Sequence, residues 1–178
     1  MSVIQAGVLS AALCADLCSL YDDRVHLSKH KDYSGWPVLY WEQVRAHAPD
    51  EVIAIKTLTV DIPVRIARSG QGWHLIETIL MAALGPGGHH IAHADNRTLD
   101  GKPNHTPQRS FSAIVYLNNE FMGGELDFPD RGEQIEPHAG LMVAFPSDYV
   151  HQVLPVTAGK RYSLNLWFTQ DPKRELRL

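Results

Sequence analysis

From about residue 73 onward the chain is divided into short apolar runs, each bounded by Gly, Pro, Asn or Asp, recurring roughly every ten residues. They cover residues 77–84, 89–95, 110–117, 124–128, 134–138, 141–145, 150–154 and 162–169. Many short, evenly spaced strands separated by turn residues cannot build a parallel α/β sheet and predict a sandwich or barrel instead. Eight of them predict a jelly roll.

The first third reads differently. Leu9, Leu13, Leu17 and Leu20 recur at helical spacing with Asp16, Asp22 and Asp23 between and after them, which predicts an amphipathic helix. A second helix is expected to start at Pro49-Asp50, with Ile55, Leu58, Ile62 and Ile66 on one stripe and a kink or break at Pro63. The aromatic residues Tyr33, Trp36, Tyr40 and Trp41 are read as core, with pocket wall as the alternative. Helices first and strands after them give an α+β domain, a double-stranded β-helix (jelly roll) with N-terminal helices packed on one sheet. At 178 residues one domain is expected, with residues 1–72 as mainly helical support and 73–170 as the jelly-roll core.

The formal charge of −4 arises without any run of Lys or Arg, so nucleic acid is not an expected partner. No apolar stretch is long enough to cross a bilayer, and no membrane role is expected. Cys14 and Cys18 stand one helical turn apart, where a disulfide would be strained. They are read as free thiols of a cytoplasmic protein.

Within the run 89–95, His93-Ala94-Asp95 places an imidazole and a carboxylate two residues apart, on one face of a strand and roughly 6–7 Å apart. Completed by a second imidazole, such a pair is the facial triad of non-haem Fe(II) sites, which leaves coordination positions open. His151, opening the seventh run, is the expected third ligand. Among ten histidines a His-x-Asp pair is weak evidence by itself, and a structural hydrogen-bond pair is the commoner fate.

Arg161 adds weight. It lies ten residues past His151 and opens the last run, where alternation sets Arg161, Ser163, Asn165 and Trp167 on one face and Tyr162, Leu164, Leu166 and Phe168 on the other. A guanidinium at the head of a polar strand face suits a small dicarboxylate, which it can grip with two parallel hydrogen bonds.

Taken together, Gly85-Pro86-Gly87-Gly88, His93-Ala94-Asp95-Asn96, Tyr116-Leu117-Asn118, Gly123-Gly124-Glu125-Leu126, Phe145-Pro146-Ser147 and the stretch from His151 to Trp167 resemble the prolyl 4-hydroxylase-like branch of the Fe(II)/2-oxoglutarate dioxygenases. The resemblance spans about residues 78–168. It implies His93, Asp95 and His151 as iron ligands, Arg161 as the anchor of the far carboxylate of 2-oxoglutarate, and Tyr116 and Asn165 as further co-substrate contacts. It implies Fe(II), 2-oxoglutarate and O2, leaves room for ascorbate, and yields succinate, CO2 and a hydroxylated C–H carbon. Leu84 and His90 stand where relatives carry aromatic residues, which leaves the substrate open.

A prolyl residue in a protein or peptide is the expected substrate, with a free amino acid or other small metabolite as the alternative. From a different class, a non-catalytic metal-binding jelly-roll module is the rival; it has no need of a dicarboxylate anchor. His89 shares the parity of His93 and is the neighbour expected to face the site, with His90 turned away. Glu136 and His138 are read as structural. Residues 96–109 form the longest expected loop, flanked by Arg97 and Arg109, for which solvated charges and substrate contacts weigh equally.

Overall fold

A computed structural model of the chain describes residues 3–46 and 49–178, for 49 and 50 the backbone alone. In chain order the elements are β1 (Ile4–Gly7), α1 (Ala11–Arg24), β2 (Val38–Tyr40), α2 (Trp41–Val44), α3 (Pro49–Arg68), β3 (Leu75–Leu84), β4 (His90–His93), β5 (Arg109–Tyr116), β6 (Phe121–Gly123), β7 (Leu126–Phe128), β8 (Glu133–Ile135), β9 (Leu141–Pro146), β10 (His151–Val153), β11 (Val156–Gly159) and β12 (Arg161–Thr169). A six-stranded sheet runs β1-β9-β5-β12-β3-β2, and a four-stranded sheet runs β4-β10-β7-β8. All the strand pairs are antiparallel.

Alternation along β5 shows how the layers form. Phe111, Ala113 and Val115 join the cluster beneath the helices, whereas Ile114 and Tyr116 join Leu126, Phe128, Val143 and Phe145. Those partners lie on β7 and β9, so this second cluster lies between the two sheets and produces the sandwich. A strand buried on both faces loses its polar–apolar alternation, which is why 113–117 reads as an unbroken apolar run in the sequence. Burying each large apolar side chain contributes about 1.5–3 kcal/mol before entropy is counted. The helices cover the opposite face of the six-stranded sheet, as the helices-first order predicts.

Several expectations need correction. The eight anticipated strands are joined by β1, β2, β6 and β11, three or four residues each, too short to show a period. The first helix starts at Ala11, capped by Ser10, whose side chain accepts from the Leu13 N–H. It buries Cys14, Leu17, Leu20 and Tyr21, so Leu9 lies outside it. The second begins at Pro49 and buries Ile55, Leu58, Ile62 and Ile66, and it remains one helix through Pro63, without a break there. Packing of that stripe against the sheet outweighs the hydrogen bond that proline cannot make. Among the described residues no helix is long and apolar enough to cross a membrane.

Candidate metal centre

His93 is the last residue of β4, and His151 is the first of β10. The antiparallel register pairs them directly, with ring centroids 4.4 Å apart. Asp95 reaches the same point by a different route from the one its spacing suggests. The strand stops at His93, and the Asp95 N–H donates to the Ser147 carbonyl at 2.8 Å. This turns the chain inward, so its carboxylate lies 3.8 Å from each imidazole Nε2. One ligand atom from each of the three residues lies within 4.8 Å of the others.

The donor set fits a small divalent ion. In each histidine the Nδ1 approaches a carbonyl two residues earlier: Ile91 at 2.7 Å for His93 and Tyr149 at 3.0 Å for His151. A carbonyl only accepts, so the proton resides on Nδ1 and the Nε2 lone pairs face the carboxylate. Burial, His151 and His90 push the His93 pKa down to about 4, against the opposing pull of Asp95 and the Ile91 carbonyl. Burial works to raise the Asp95 carboxyl, but His151, Ser112, His93 and Trp167 outweigh it and hold it below the usual range.

A cavity of about 340 Å³ opens beside this triad, and Arg161, Ser163, Asn165 and Trp167 all line it, as strand alternation predicts. Arg161 is 2% exposed. Its Nε donates to the Gly124 carbonyl at 3.0 Å, and its guanidinium lies over the Tyr116 ring, 4.9 Å from the centroid. Burial lowers its pKa and raises that of Tyr116, each group partly offsetting the effect on the other. Neither Arg161 Nη2 nor the Tyr116 hydroxyl has a hydrogen-bond partner. Buried donors left this way are costly, and an anion reaching this depth would satisfy both. A carboxylate therefore fits beside the triad. Asn165 donates to Ser163 Oγ at 3.2 Å and borders the same space.

Gly124 makes the Arg161 position available. It has φ +71°, and an added Cβ would lie 2.8 Å from Arg161 Cδ. Only glycine meets both demands without strain.

The two neighbouring histidines exchange their expected places. His89 is exposed, with Nδ1 at 2.9 Å from the Gly87 carbonyl, whereas His90 borders the cavity and pairs with Asp32 at 3.0 Å. A register irregularity between His151 and Val153 breaks simple alternation along β4. Tyr33, for which core was favoured over pocket wall, is 61% exposed at the cavity mouth, its ring 4.8 Å from His90 and 5.4 Å from His93, so the alternative holds for it. Trp41 is core as expected. Arg97 is a structural clamp, bonding the Asp148 carbonyl through two nitrogens. Arg109 borders the cavity, paired with Glu77 at 3.3 Å and stacked on Trp167 at 4.4 Å. Glu136 and His138 are exposed. Missed altogether was Ser112, whose hydroxyl donates to Asp95 Oδ2 at 2.6 Å. It shares strand parity with Ile114 and Tyr116, and a serine on that face is the signal that could have exposed it.

Residues 79–169 match the family model of the 2OG-Fe(II) oxygenase superfamily. The chain is 38% identical over 97 residues to human prolyl 3-hydroxylase 2, a match covering 47% of this chain and 14% of that protein, so it spans a small part of the curated relatives it resembles. Among solved structures it is similar to the viral collagen prolyl hydroxylase of Paramecium Bursaria Chlorella virus-1 in its 2OG complex, with TM-score 0.72, 20% identity, and coverage of 99% of this chain and 97% of that one. It is also similar to a prolyl-4-hydroxylase of Pseudomonas putida, with TM-score 0.69, 24% identity, and coverage of 95% and 92%.

Proposed function

The chain belongs to the 2OG-Fe(II) oxygenase superfamily, and on that premise we propose that it hydroxylates a prolyl residue of a peptide or protein, with His93, Asp95 and His151 holding the iron and Arg161 and Tyr116 holding the far carboxylate of 2-oxoglutarate. The observation that carries the reading is Arg161 Nη2, buried without a hydrogen-bond partner on the wall of the cavity the triad borders, with the Tyr116 ring and its unbonded hydroxyl packed beneath the guanidinium. A metal module without catalysis has no use for a guanidinium buried at that cost.

When bound, ferrous iron with 2-oxoglutarate and O2 supplies the oxidising power that turns C–H into C–OH, releasing succinate and CO2. The residues of the chain do the rest. The two Nδ1–carbonyl bonds hold the imidazoles in the tautomer a metal needs, and Ser112 fixes the carboxylate. Arg161 and Tyr116 set the depth at which the co-substrate stops, with Asn165 on the same wall. The apolar side chains Leu80, Leu84, Ile114 and Val153 keep the cavity dry.

Relatives named as prolyl hydroxylases favour a prolyl substrate, and the charges bordering the cavity favour a peptidyl one. Asp32 is already engaged by His90 and by the N–H groups of Ser34 and Trp36, and Arg109 is engaged by Glu77. A free amino acid would bring an ammonium, for which the cavity offers, among the described residues, no unengaged carboxylate beyond the proposed ligand Asp95, whereas a residue within a peptide brings none.

The test is the anaerobic Fe(II) protein titrated with 2-oxoglutarate, followed by succinate release across peptides and free amino acids. A weak visible charge-transfer band and peptide-dependent succinate are expected. Absence of the band would dismiss the oxygenase reading, and succinate driven by free proline alone would dismiss the peptide.

A further inference from the structure

Resting on the reading of His93, Asp95 and His151 as metal ligands, we infer that Ser112, backed by Ser147, is a positioning residue that makes Asp95 a one-oxygen ligand. Ser112 is 3% exposed and Ser147 is fully buried. The Ser112 hydroxyl donates to Asp95 Oδ2 at 2.6 Å, and Ser147 Oγ lies 2.8 Å from Ser112 Oγ. A serine carries one hydroxyl proton, and that of Ser112 is committed to the carboxylate, so Ser147 must donate to Ser112. The chain of donors therefore has one direction, toward Asp95.

Its mounting is rigid. Ser112 pairs with Phe145 on β9 and Trp167 on β12, in the middle of the six-stranded sheet. Ser147 holds Asp95 a second time, its carbonyl accepting the Asp95 N–H at 2.8 Å, while its own N–H donates to the Ser110 carbonyl at 3.1 Å. The sheet thereby fixes the orientation of the carboxylate.

Coordination counting supplies the reason. Three protein donors leave three positions of an octahedral ion open. A carboxylate binding through both oxygens would take a fourth, too many for a two-point co-substrate plus O2. Ser112 occupies a lone pair of Oδ2, the oxygen 3.8 Å from His151 Nε2, which leaves Oδ1, 3.8 Å from His93 Nε2 and free of that bond, as the better donor to the ion. Ser112 also shares its strand face with Ile114 and Tyr116, a setting where an apolar residue would pack at lower cost unless the hydroxyl has a task.

The experiment needs no turnover. Mn(II) is titrated into the folded protein and the loss of the free-ion EPR signal gives Kd, with melting temperature recorded in parallel. Ser112→Ala is expected to weaken Mn(II) binding about ten- to hundredfold, and Ser112→Thr, which keeps the hydroxyl, to restore most of it. A Ser112→Ala protein that melts lower but binds Mn(II) as the wild type does would overturn the inference, since a merely structural serine behaves that way. Should that variant not fold, Ser147→Ala removes the donor one bond further from the ion. Weaker binding there supports the inference, and unchanged binding overturns it. A wild type that binds no Mn(II) would instead refute the triad itself.

Discussion

His93 and His151 are directly opposed across the antiparallel β4–β10 pair, their rings 4.4 Å apart, so two of the three proposed ligands are fixed relative to each other by a backbone ladder. An ion held by residues as far apart in sequence as 93 and 151 binds the folded chain and not the unfolded one, and binding then appears as stability. At a hundred times Kd the gain is about 2.7 kcal/mol, equivalent to roughly 5–10 °C in melting temperature for a chain of this size. Mn(II) is expected to raise the wild-type melting temperature by that amount and to leave His151→Ala unmoved. Thermal unfolding with and without the ion checks it, and a wild type indifferent to Mn(II) would count against the site.

Arg161 separates binding from stability. Its guanidinium is buried with one free nitrogen, a charge whose removal from water is poorly compensated without an anion. Arg161→Met, of similar length and apolar, is expected to melt at or above the wild type without ligands, while Arg161→Ala leaves a void and melts below it. Both variants should raise the KM for 2-oxoglutarate about a hundredfold, the loss of a two-point charged contact. Steady-state kinetics and calorimetry provide the two readings. An unchanged KM would mean that the anchor lies elsewhere.

Legibility in the sequence followed the physics of each element. β3, β5, β9 and β12 are long and buried, so their apolar pattern is strong, and the polar face of β12 could be read two residues at a time from Arg161 to Trp167. β1, β2, β6 and β11 have too few residues for a pattern and are specified by long-range partners such as Ile4 with Ala144. His93-Ala94-Asp95 pointed to two residues that the structure does bring together with His151, but for an incomplete reason. Alternation required a strand through Asp95, but the Ser147 carbonyl ends the regular run and aims the carboxylate. His89 and His90 exchanged places for the related reason that a register break defeats parity. For Tyr33 the sequence could not choose between core and pocket wall, because its place over His90 and His93 follows the neighbouring Asp32, whose carboxylate is held by His90 and two backbone N–H groups.

Gly124 offers a test of position without touching any proposed ligand. Alanine there must adopt φ near +71°, costing about 1–2 kcal/mol, and its Cβ would press on Arg161 Cδ from 2.8 Å. Gly124→Ala is expected to raise the KM for 2-oxoglutarate about tenfold, the equivalent of about 1.4 kcal/mol, with Mn(II) affinity unchanged. Loss of both together would mean that the change spread beyond the guanidinium.

The apo protein should lose stability on mild acidification, and the sign follows from His93. Its ordinary pKa of 6.5 falls to about 4 in the folded chain. Below pH 6.5 the unfolded chain takes up a proton that the folded chain refuses, so stability falls as pH drops from 6.5 toward 4, and this contribution levels off below that. The slope cannot exceed about 1.4 kcal/mol per pH unit, which limits the loss from this residue to about 3 kcal/mol. Asp95, held below its ordinary 3.8, continues the loss at lower pH, because its stabilisation is present only while the carboxylate is ionised. His74, lowered by burial against the opposing Gln71 carbonyl, adds to the effect of His93 with the same sign. Melting temperatures measured in metal-free buffers between pH 7 and 4 should therefore fall for the wild type and fall less steeply, though not flatten, for His93→Gln. Equal slopes in the two proteins would mean that His93 titrates freely and that the site is more open to water than its geometry shows.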